Sequence, residues 1–548
     1  MHKIYTNLIK EATASGIGNS VDFLQFKKDF CGRQKILQPS NADLRELYEK
    51  MIQEKIIRRN PALEKSLISR KIRTQSGVAV VAVLTKSFPC PGKCIYCPTE
   101  KSMPKSYLSN EPAVMRAIAS QFDPYKQVRN RLYSLELNGH KTDKIELIVM
   151  GGTFSYLPKK YQTRFITQCF RACNDYGKKR ELQNIKKKAT KKSPNEDLLE
   201  EQRKNEKSIR RIVGLTLETR PDYINEKEII NFRKLGCTRV ELGVQSIFND
   251  VLALNRRGHD IEETIKATKI LKDTGFKINY HIMPGLPGSD LQKDFRMFKE
   301  LFSNQNFRPD LLKIYPTVIL KNSILYRQWK INSFGRNKTG SGYKPLTDKK
   351  FEKFILKVKN EIIPPYVRIA RLIRDIPTNS IIAGPTLSNL RQIIVPRSRC
   401  QCIRCREVRS DYKINEPIIL DRMEYDASDG KEIFLQYVSP DKKKLFALLR
   451  LRIPGDNNKN HPISILRQTA LIREVHTYGK LAEIDKKDTA SPQHIGLGKK
   501  LMLEAEKIAR EEYGLQKIAV ISGIGVRSYY RKQGYRIQAT YMVKNLEV

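Results

Sequence analysis

Ser87-Phe88-Pro89-Cys90-Pro91-Gly92-Lys93-Cys94-Ile95-Tyr96-Cys97-Pro98 carries three cysteines at C-x3-C-x2-C spacing, directly after the apolar run 78–84. The run reads as a buried strand and the cysteine stretch as the loop that leaves it. Three thiolates on one short loop suit three corners of a 4Fe-4S cluster and leave the fourth iron open, an arrangement that can bind S-adenosylmethionine. Two other readings stay open here: a zinc site whose fourth ligand lies elsewhere, and three buried structural cysteines.

The strand-then-loop pattern recurs downstream. Apolar runs stand at 145–150, 212–217, 239–244, 277–283 and 311–315, with helical patterns such as 262–272 between most of them. Alternation of this kind predicts a parallel sheet or barrel. Each run ends in a loop of functional residue types: Gly151-Gly152-Thr153, Glu218-Thr219-Arg220-Pro221-Asp222, Gln245-Ser246, Pro284-Gly285-Leu286-Pro287-Gly288 and Pro316-Thr317. In a parallel barrel these loops converge at the C-terminal ends of the strands. The stretch 178–211 interrupts the pattern with Lys186-Lys187-Lys188 and Lys191-Lys192 and reads as a disordered or extended charged insertion.

A second cluster, Cys400-Gln401-Cys402-Ile403-Arg404-Cys405, follows where the barrel pattern ends. It offers three soft ligands to a structural zinc, with the fourth unnamed, and reads as a clip between two domains; reduced, unliganded thiols are the alternative. Beyond residue 417 the stretches 432–437, 446–453 and 471–474 read as antiparallel strands. Gln493-His494-Ile495-Gly496-Leu497-Gly498-Lys499 then enters a helix that Gly514 stops. A glycine loop at a helix N-terminus presents free amides to a pyrophosphate.

The chain of 548 residues is too long for one core, and its net charge of +44 is the field of a polyanion binder, nucleic acid first. The lysine-rich composition that AT-rich coding sequence favours is the competing account of that charge. Residues 1 to about 75 read as basic helices, with Arg58, Arg59, Arg70, Lys71 and Arg73 placed to grip phosphates. Ten cysteines, six of them in two tight clusters, suit a reducing compartment and metal sites better than disulfides. No membrane-length apolar stretch and no signal-peptide pattern are found, so a cytoplasmic protein is expected.

The 90–97 loop has the spacing of the radical-SAM enzymes, and the Q-x-x-G-x-G segment resembles motif A of the GNAT acetyltransferases. Taken with Val149-Met150-Gly151-Gly152-Thr153-Phe154, Glu218 to Asp222, Val244-Gln245-Ser246, Arg374-Asp375-Ile376-Pro377, Arg473-Glu474-Val475-His476-Thr477-Tyr478-Gly479 and Ile521-Ser522-Gly523-Ile524-Gly525, the chain resembles the catalytic-subunit family of Elongator from about residue 20 to its end. The long lysine insertion and Thr99, where a glycine is usual, depart from the pattern away from any presumed ligand.

The resemblance implies an α/β radical-SAM partial TIM-type barrel followed by a GNAT-like α+β domain, with a basic helical N-terminal segment. It divides the chain into a tRNA-binding segment 1–75, a barrel 76–390 with insertion 178–211, a cysteine-rich metal-binding linker 391–416 and an acetyl-CoA domain 417–548. It implies carboxymethylation of carbon 5 of the wobble uridine of tRNA. A deoxyadenosyl radical made from S-adenosylmethionine removes hydrogen from the methyl of acetyl-CoA; the carbon radical adds to the base, and thioester hydrolysis completes the group. It also implies the site residues. Cys90, Cys94 and Cys97 hold the cluster. Gly151, Gly152 and Glu218 contact S-adenosylmethionine. Lys144, Glu474, Val475, His476, Thr477, Leu497, Gly498, Lys499 and Tyr530 contact acetyl-CoA, with Tyr530, His476 and Lys144 nearest the chemistry. Of the pair Tyr529 and Tyr530, one is expected only to pack. Lys144 stands at the N-terminal start of a strand, away from the barrel's catalytic face. Cys400, Cys402 and Cys405 would hold zinc. The partners implied are the anticodon arm of tRNA and Elongator-type subunits or a second copy of the chain, with no membrane. The runner-up function is a protein lysine acetyltransferase that keeps an iron-sulfur cluster as structure; the basic field argues against basic tails as its substrate. A non-catalytic RNA-binding scaffold is the third.

Overall fold

Six parallel strands coincide with the six apolar runs: β1 (Ala79–Leu84), β2 (Lys144–Met150), β3 (Arg211–Thr219), β4 (Arg239–Gln245), β5 (Lys277–Ile282) and β6 (Leu311–Ile314). The computed structural model describes residues 2–17, 19–68, 77–177, 193–334, 342–409, 412, 416–479 and 496–546. After β7 (Ile319–Leu320) comes a seventh parallel strand, β8 (Arg368–Arg371), on the outer side of β6; its Arg-Ile-Ala-Arg sequence has no apolar run to announce it. β7 pairs with β9 (Ile381–Ala383) in a small separate sheet. β1 and β8 are the two edges of the large sheet, so the barrel is partial.

Alternation along the strands separates core from cavity. On β4, Val240, Leu242 and Val244 are wholly buried toward the helices, while Arg239, Glu241, Gly243 and Gln245 line the interior. Asn225, Asp260 and Asp290 each cap the N-terminus of the next helix (Glu226–Leu235, Ile261–Asp273 and Leu291–Ser303), so the loops above the strands end abruptly.

The charged stretch corrects the expectation of an unstructured insertion. Its lysine-rich part, 178–192, lies outside the described residues, but Pro194–Asn205 is a helix. A capping box between Ser193 and Glu196 starts it, Leu198 is buried, and the Asn205 amide bonds to Asn174 and accepts from the Ile212 backbone. Caps and buried amides supply here what a short apolar inventory does not.

The N-terminal helices His2–Ala14, Ser20–Arg33, Asn41–Gln53 and Pro61–Ser66 surround their own core of Leu8, Phe23, Phe30, Leu44, Tyr48 and Met51. Arg59 is engaged with Glu49 and Glu64. Arg70, Lys71 and Arg73 lie outside the described residues.

The C-terminal sheet contains β10 (Ile419–Ala427), β11 (Gly430–Val438), β12 (Leu445–Ile453), β13 (Ala470–Thr477), β14 (Lys517–Val520), β15 (Arg536–Gln538) and β16 (Tyr541–Asn545). Neighbours are antiparallel except β13 and β14, which run parallel over Ala470↔Ile518 to Ile472↔Val520 and then separate. Helix Leu497–Lys507 begins beside the far end of β13, with Gly498 against Val475 and Thr477.

This sheet docks on the floor of the barrel, the end where its strands begin. Arg473 interrupts the register of β13 with β12 and is wholly buried. It pairs with Asp310 just ahead of β6 (2.6 Å) and with Glu432 (2.8 Å), and donates to the Phe276 carbonyl (2.6 Å). Arg450 bonds Glu474 (2.9 Å) and the Tyr366 carbonyl (2.7 Å); Arg452 bonds Asp273 (2.5 Å) and Glu432 (3.2 Å). Burying these charges is costly, and mutual pairing with extra hydrogen bonds offsets the cost. At Gly523 a β-carbon would collide with the Val213 carbonyl on β3, so the Ile521–Gly525 glycines are contact points between domains. One hydrophobic core runs through both sheets.

Candidate active site

A cavity of about 930 Å³ occupies the barrel. Its rim carries Cys90, Cys94 and Cys97 with Gly152, Glu218 and Gln245. Its lower wall carries Glu146, Arg239, Leu311 and Arg368, from the starts of their strands.

The cysteine loop is pinned from below: Ile95 donates to the Asn255 carbonyl (3.2 Å) and accepts from Leu325 (2.8 Å). Ile95, Tyr96, Val251, Leu286 and Leu325 make a dry shell behind it. The hydrogen bond from Cys97 pulls the Cys94 thiol well down against burial, and the Arg257 guanidinium, 3.4 Å from its sulfur, helps. Among the described residues only Cys400, Cys402 and Cys405 bring three metal-type ligand atoms within 4.8 Å of one another. A tetrahedral zinc at about 2.3 Å from each sulfur needs that convergence. On the 90–97 loop Cys94 and Cys97 are hydrogen-bonded to each other but the three sulfurs do not all converge within that distance, which does not suit one such ion; a four-iron cube takes its thiolates at separate corners.

Above β2, Gly151 at φ 138° runs so close to Thr85 that a β-carbon would strike its hydroxyl. Glu218 at the end of β3 accepts from the Tyr107 hydroxyl (2.6 Å) and stands 3.8 Å from His281 Nδ1. Arg374 lies over the Tyr107 ring and pairs with Glu111. Gln245 holds φ 71° at the rim, and its buried Oε1 has no partner. Below it Glu241 takes Lys313, His281 Nε2 (3.0 Å) and Asn279 (3.1 Å). Burial works against its charge, but Lys313 and His281 hold the carboxyl well below the usual range. The 284–288 loop hangs on Asp294, which accepts from the Gly285 amide (2.7 Å) and the Ser289 hydroxyl (2.6 Å); burial pushes Asp294 up to about 6.

The floor brings in the second domain. β13 presents two faces. Glu474 meets Lys277 at the start of β5 (3.1 Å) and Arg450. Burial opposes its charge, yet these two cations hold it well below the carboxylate range. His476 packs its ring on Tyr478, centroids 4.3 Å apart; burial pushes it down to about 4, and its buried Nε2 has no partner. It is therefore a neutral imidazole at neutral pH. Arg368 lines the cavity and also donates to the Tyr478 hydroxyl (3.2 Å). On the opposite face Val475 and Thr477 meet Gly498. Gly496 caps the helix at φ 78°, Leu497 is buried and Lys499 is exposed. Gln493 lies outside the described residues.

The two tyrosines have different places. Tyr530 is buried between Tyr529 and Tyr535. The Tyr529 hydroxyl is 3.0 Å from where a β-carbon on Gly498 would stand, so Tyr529 faces the glycine loop. Lys144 opens β2 and pairs in register with Arg211 of β3, the stretch on which the Gly523–Gly525 turn packs. Its distance from the cavity rim is thus no distance from the second domain; burial lowers its pKa.

Cys400, Cys402 and Cys405 sit where the domains meet. Ile403 donates to the Val367 carbonyl (2.9 Å), Arg406 to that of Pro365 (2.9 Å), and Val408 to Leu445 on β12 (3.0 Å). Lys359 donates to Cys405 Sγ (3.4 Å). Arg257, Glu241, Lys313 and Arg368 were not singled out from the sequence, whereas Gln245 was, as part of the loop that ends its strand. For Glu241 and Lys313 the signal was present as polar residues at alternate positions of otherwise apolar strands, the mark of a polar barrel interior; Arg257, in a loop, and Arg368, on a strand without an apolar run, carry no such pattern.

Residues 87–298 match the Radical SAM superfamily and 309–399 the Radical_SAM C-terminal domain. The chain is 44% identical over 530 residues to the tRNA uridine(34) acetyltransferase of Methanocaldococcus infernus, covering 93% of this chain and 92% of that one. It is 37% identical over 501 residues to human Elongator complex protein 3, covering 88% and 86%. The solved structure of Methanocaldococcus infernus Elp3 with residues 1–46 deleted superposes with a TM-score of 0.70 at 42% identity, over 86% of this chain and 100% of that chain.

Proposed function

Because the chain belongs to the radical-SAM family of tRNA uridine(34) acetyltransferases and Elongator complex protein 3, we propose that it carboxymethylates carbon 5 of the wobble uridine of tRNA. Acetyl-CoA supplies the two carbons, and an iron-sulfur cluster with S-adenosylmethionine supplies the radical chemistry. The observation that carries this reading is one cavity with three cysteines at its rim and, at its floor, Arg368 in contact with the tyrosine that ends the Glu474-to-Tyr478 segment.

Cys90, Cys94 and Cys97 hold the cluster; the dry shell behind them and the Arg257 donor fit an anionic centre. Gly151 and Gly152 let backbone approach S-adenosylmethionine closely, and Glu218, oriented by Tyr107, binds its ribose. The amides at the start of helix Leu497–Lys507 hold the pyrophosphate of acetyl-CoA. Val475 and Thr477 line that arm, Glu474 and neutral His476 form the floor where Lys277 meets Glu474, and Lys144 contacts acetyl-CoA from the start of β2. Tyr529 and Tyr530 share the thioester end: Tyr530 supports and Tyr529 reaches the loop. Cys400, Cys402 and Cys405 hold a structural zinc between residues 76–390 and 417–548. The basic N-terminal segment and the +44 charge attract the anticodon arm. Among the described residues no helix is long and apolar enough to cross a membrane. The enzyme works in the cytoplasm with Elongator-type subunits or a second copy of itself.

The test is mass spectrometry of nucleosides from tRNA incubated with the reduced protein, S-adenosylmethionine and acetyl-CoA. A 5-carboxymethyluridine product that needs all three is expected. A product formed by iron-free protein, or acetyl-lysine on a protein substrate with none on tRNA, overturns the reading.

A further inference from the structure

Two arginines stand against the 90–97 loop, and they are charged in different company. Arg220 is bidentate on Asp222 (2.9 and 2.8 Å), so its charge is offset within its own loop. Its Nη1, buried and without a partner, faces Gly92 so closely that a β-carbon there would strike it. Arg257 is buried and, among the described residues, has no carboxylate beside it. Its partners are the Gly243 carbonyl and Cys94 Sγ at 3.4 Å, and its Nε is buried with none. A buried guanidinium without a counter-ion is costly, so the anion that balances Arg257 must belong to the cysteine loop.

We propose that Arg257 sets the reduction potential of the cluster held by Cys90, Cys94 and Cys97, making it easier to reduce. This rests on the cluster assignment above. A four-iron centre with three thiolates is anionic and gains one further negative charge when it accepts an electron, with no bond made or broken. A fixed cation in low dielectric attracts the more anionic state more strongly. The electron comes from a low-potential one-electron donor; dithionite serves in the test. Arg220 contributes less, because Asp222 cancels most of its field at the loop.

The test is a potentiometric titration of the anaerobically reconstituted full chain, followed by electron paramagnetic resonance, with iron content measured alongside and neither tRNA nor acetyl-CoA present. Arg257→Met should keep about four irons and, at the parent's midpoint, show a reduced-to-oxidised ratio roughly tenfold lower, equivalent to about 59 mV for a one-electron couple. Arg257→Lys, which keeps the charge, should lie between them. Asp222→Asn should move the other way, because it uncovers the Arg220 charge. Superimposable curves for the parent, Arg257→Met and Asp222→Asn overturn the proposal. If Arg257→Met takes up no iron, Arg257→Gln takes its place in the titration, and an unshifted curve there overturns the proposal. A parent that takes up no iron would instead sink the cluster assignment, and shifted curves without a tRNA product would sink only the reaction.

Discussion

The two sets of three cysteines invite comparison, since each is a short run of soft ligands beside a buried cation. They differ in spread and in what surrounds them. Cys400, Cys402 and Cys405 converge within 4.8 Å between two domains, with backbone bonds to both. Cys90, Cys94 and Cys97 are spread along a loop at the rim of the large cavity. Convergence in a closed junction suits a mononuclear structural ion; spread at an open rim suits a multinuclear centre with a free position. Cysteine count alone would not separate the two.

The largest expected effect falls on the rim set. Cys94→Ala should lose iron and tRNA carboxymethylation together; iron analysis and nucleoside mass spectrometry read both, and retained product without iron would break the comparison. Next is the junction set. Cys402→Ser should remove zinc and lower thermal stability while the iron content stays, because binding energy at a structural metal is coupled to folding. Native protein without zinc by elemental analysis would make the junction set ordinary thiols.

A third substitution asks whether zinc and ion pairs hold the same junction. Arg473→Leu leaves Asp310 and Glu432 buried without their shared partner and should cost about 3 to 5 kcal/mol in denaturant unfolding. If both features secure one interface, the double variant with Cys402→Ser should depart from additivity. Additive losses would separate them.

The smallest effect concerns the loop behind the rim set. Asp294 titrates near 6 in the folded protein, against about 3.9 for an unperturbed aspartate. A raised folded pKa means that its contribution is fully present below about pH 4 and is lost as pH rises through 6, at a cost on the order of 2 to 3 kcal/mol. Asp294→Asn should flatten the stability–pH curve between those values. Unchanged curvature would clear Asp294 of that role.

Much of this arrangement follows from residue order. Six apolar runs became six parallel strands because short runs rich in β-branched and aliphatic residues bury one face under the surrounding helices, while alternate positions turn to the cavity. The spacing of Cys90, Cys94 and Cys97 and the glycine loop before Leu497 are local patterns, and local patterns survive without knowledge of the fold. β8 was hidden because Arg-Ile-Ala-Arg is a strand only by virtue of pairing with β6. Helix Pro194–Asn205 was hidden because buried amides, not apolar residues, fasten it. The docking of the second domain on the barrel floor was hidden altogether. It rests on Arg473, Arg450, Asp310 and Glu432, whose charges read as surface residues until tertiary structure buries them against one another. That docking alone explains why Lys144, at the wrong end of its strand for the rim, stands at the end that meets the second domain. Arg257 likewise acquires meaning only when folding carries it 163 residues back along the chain to Cys94 and gives it no carboxylate partner among the described residues.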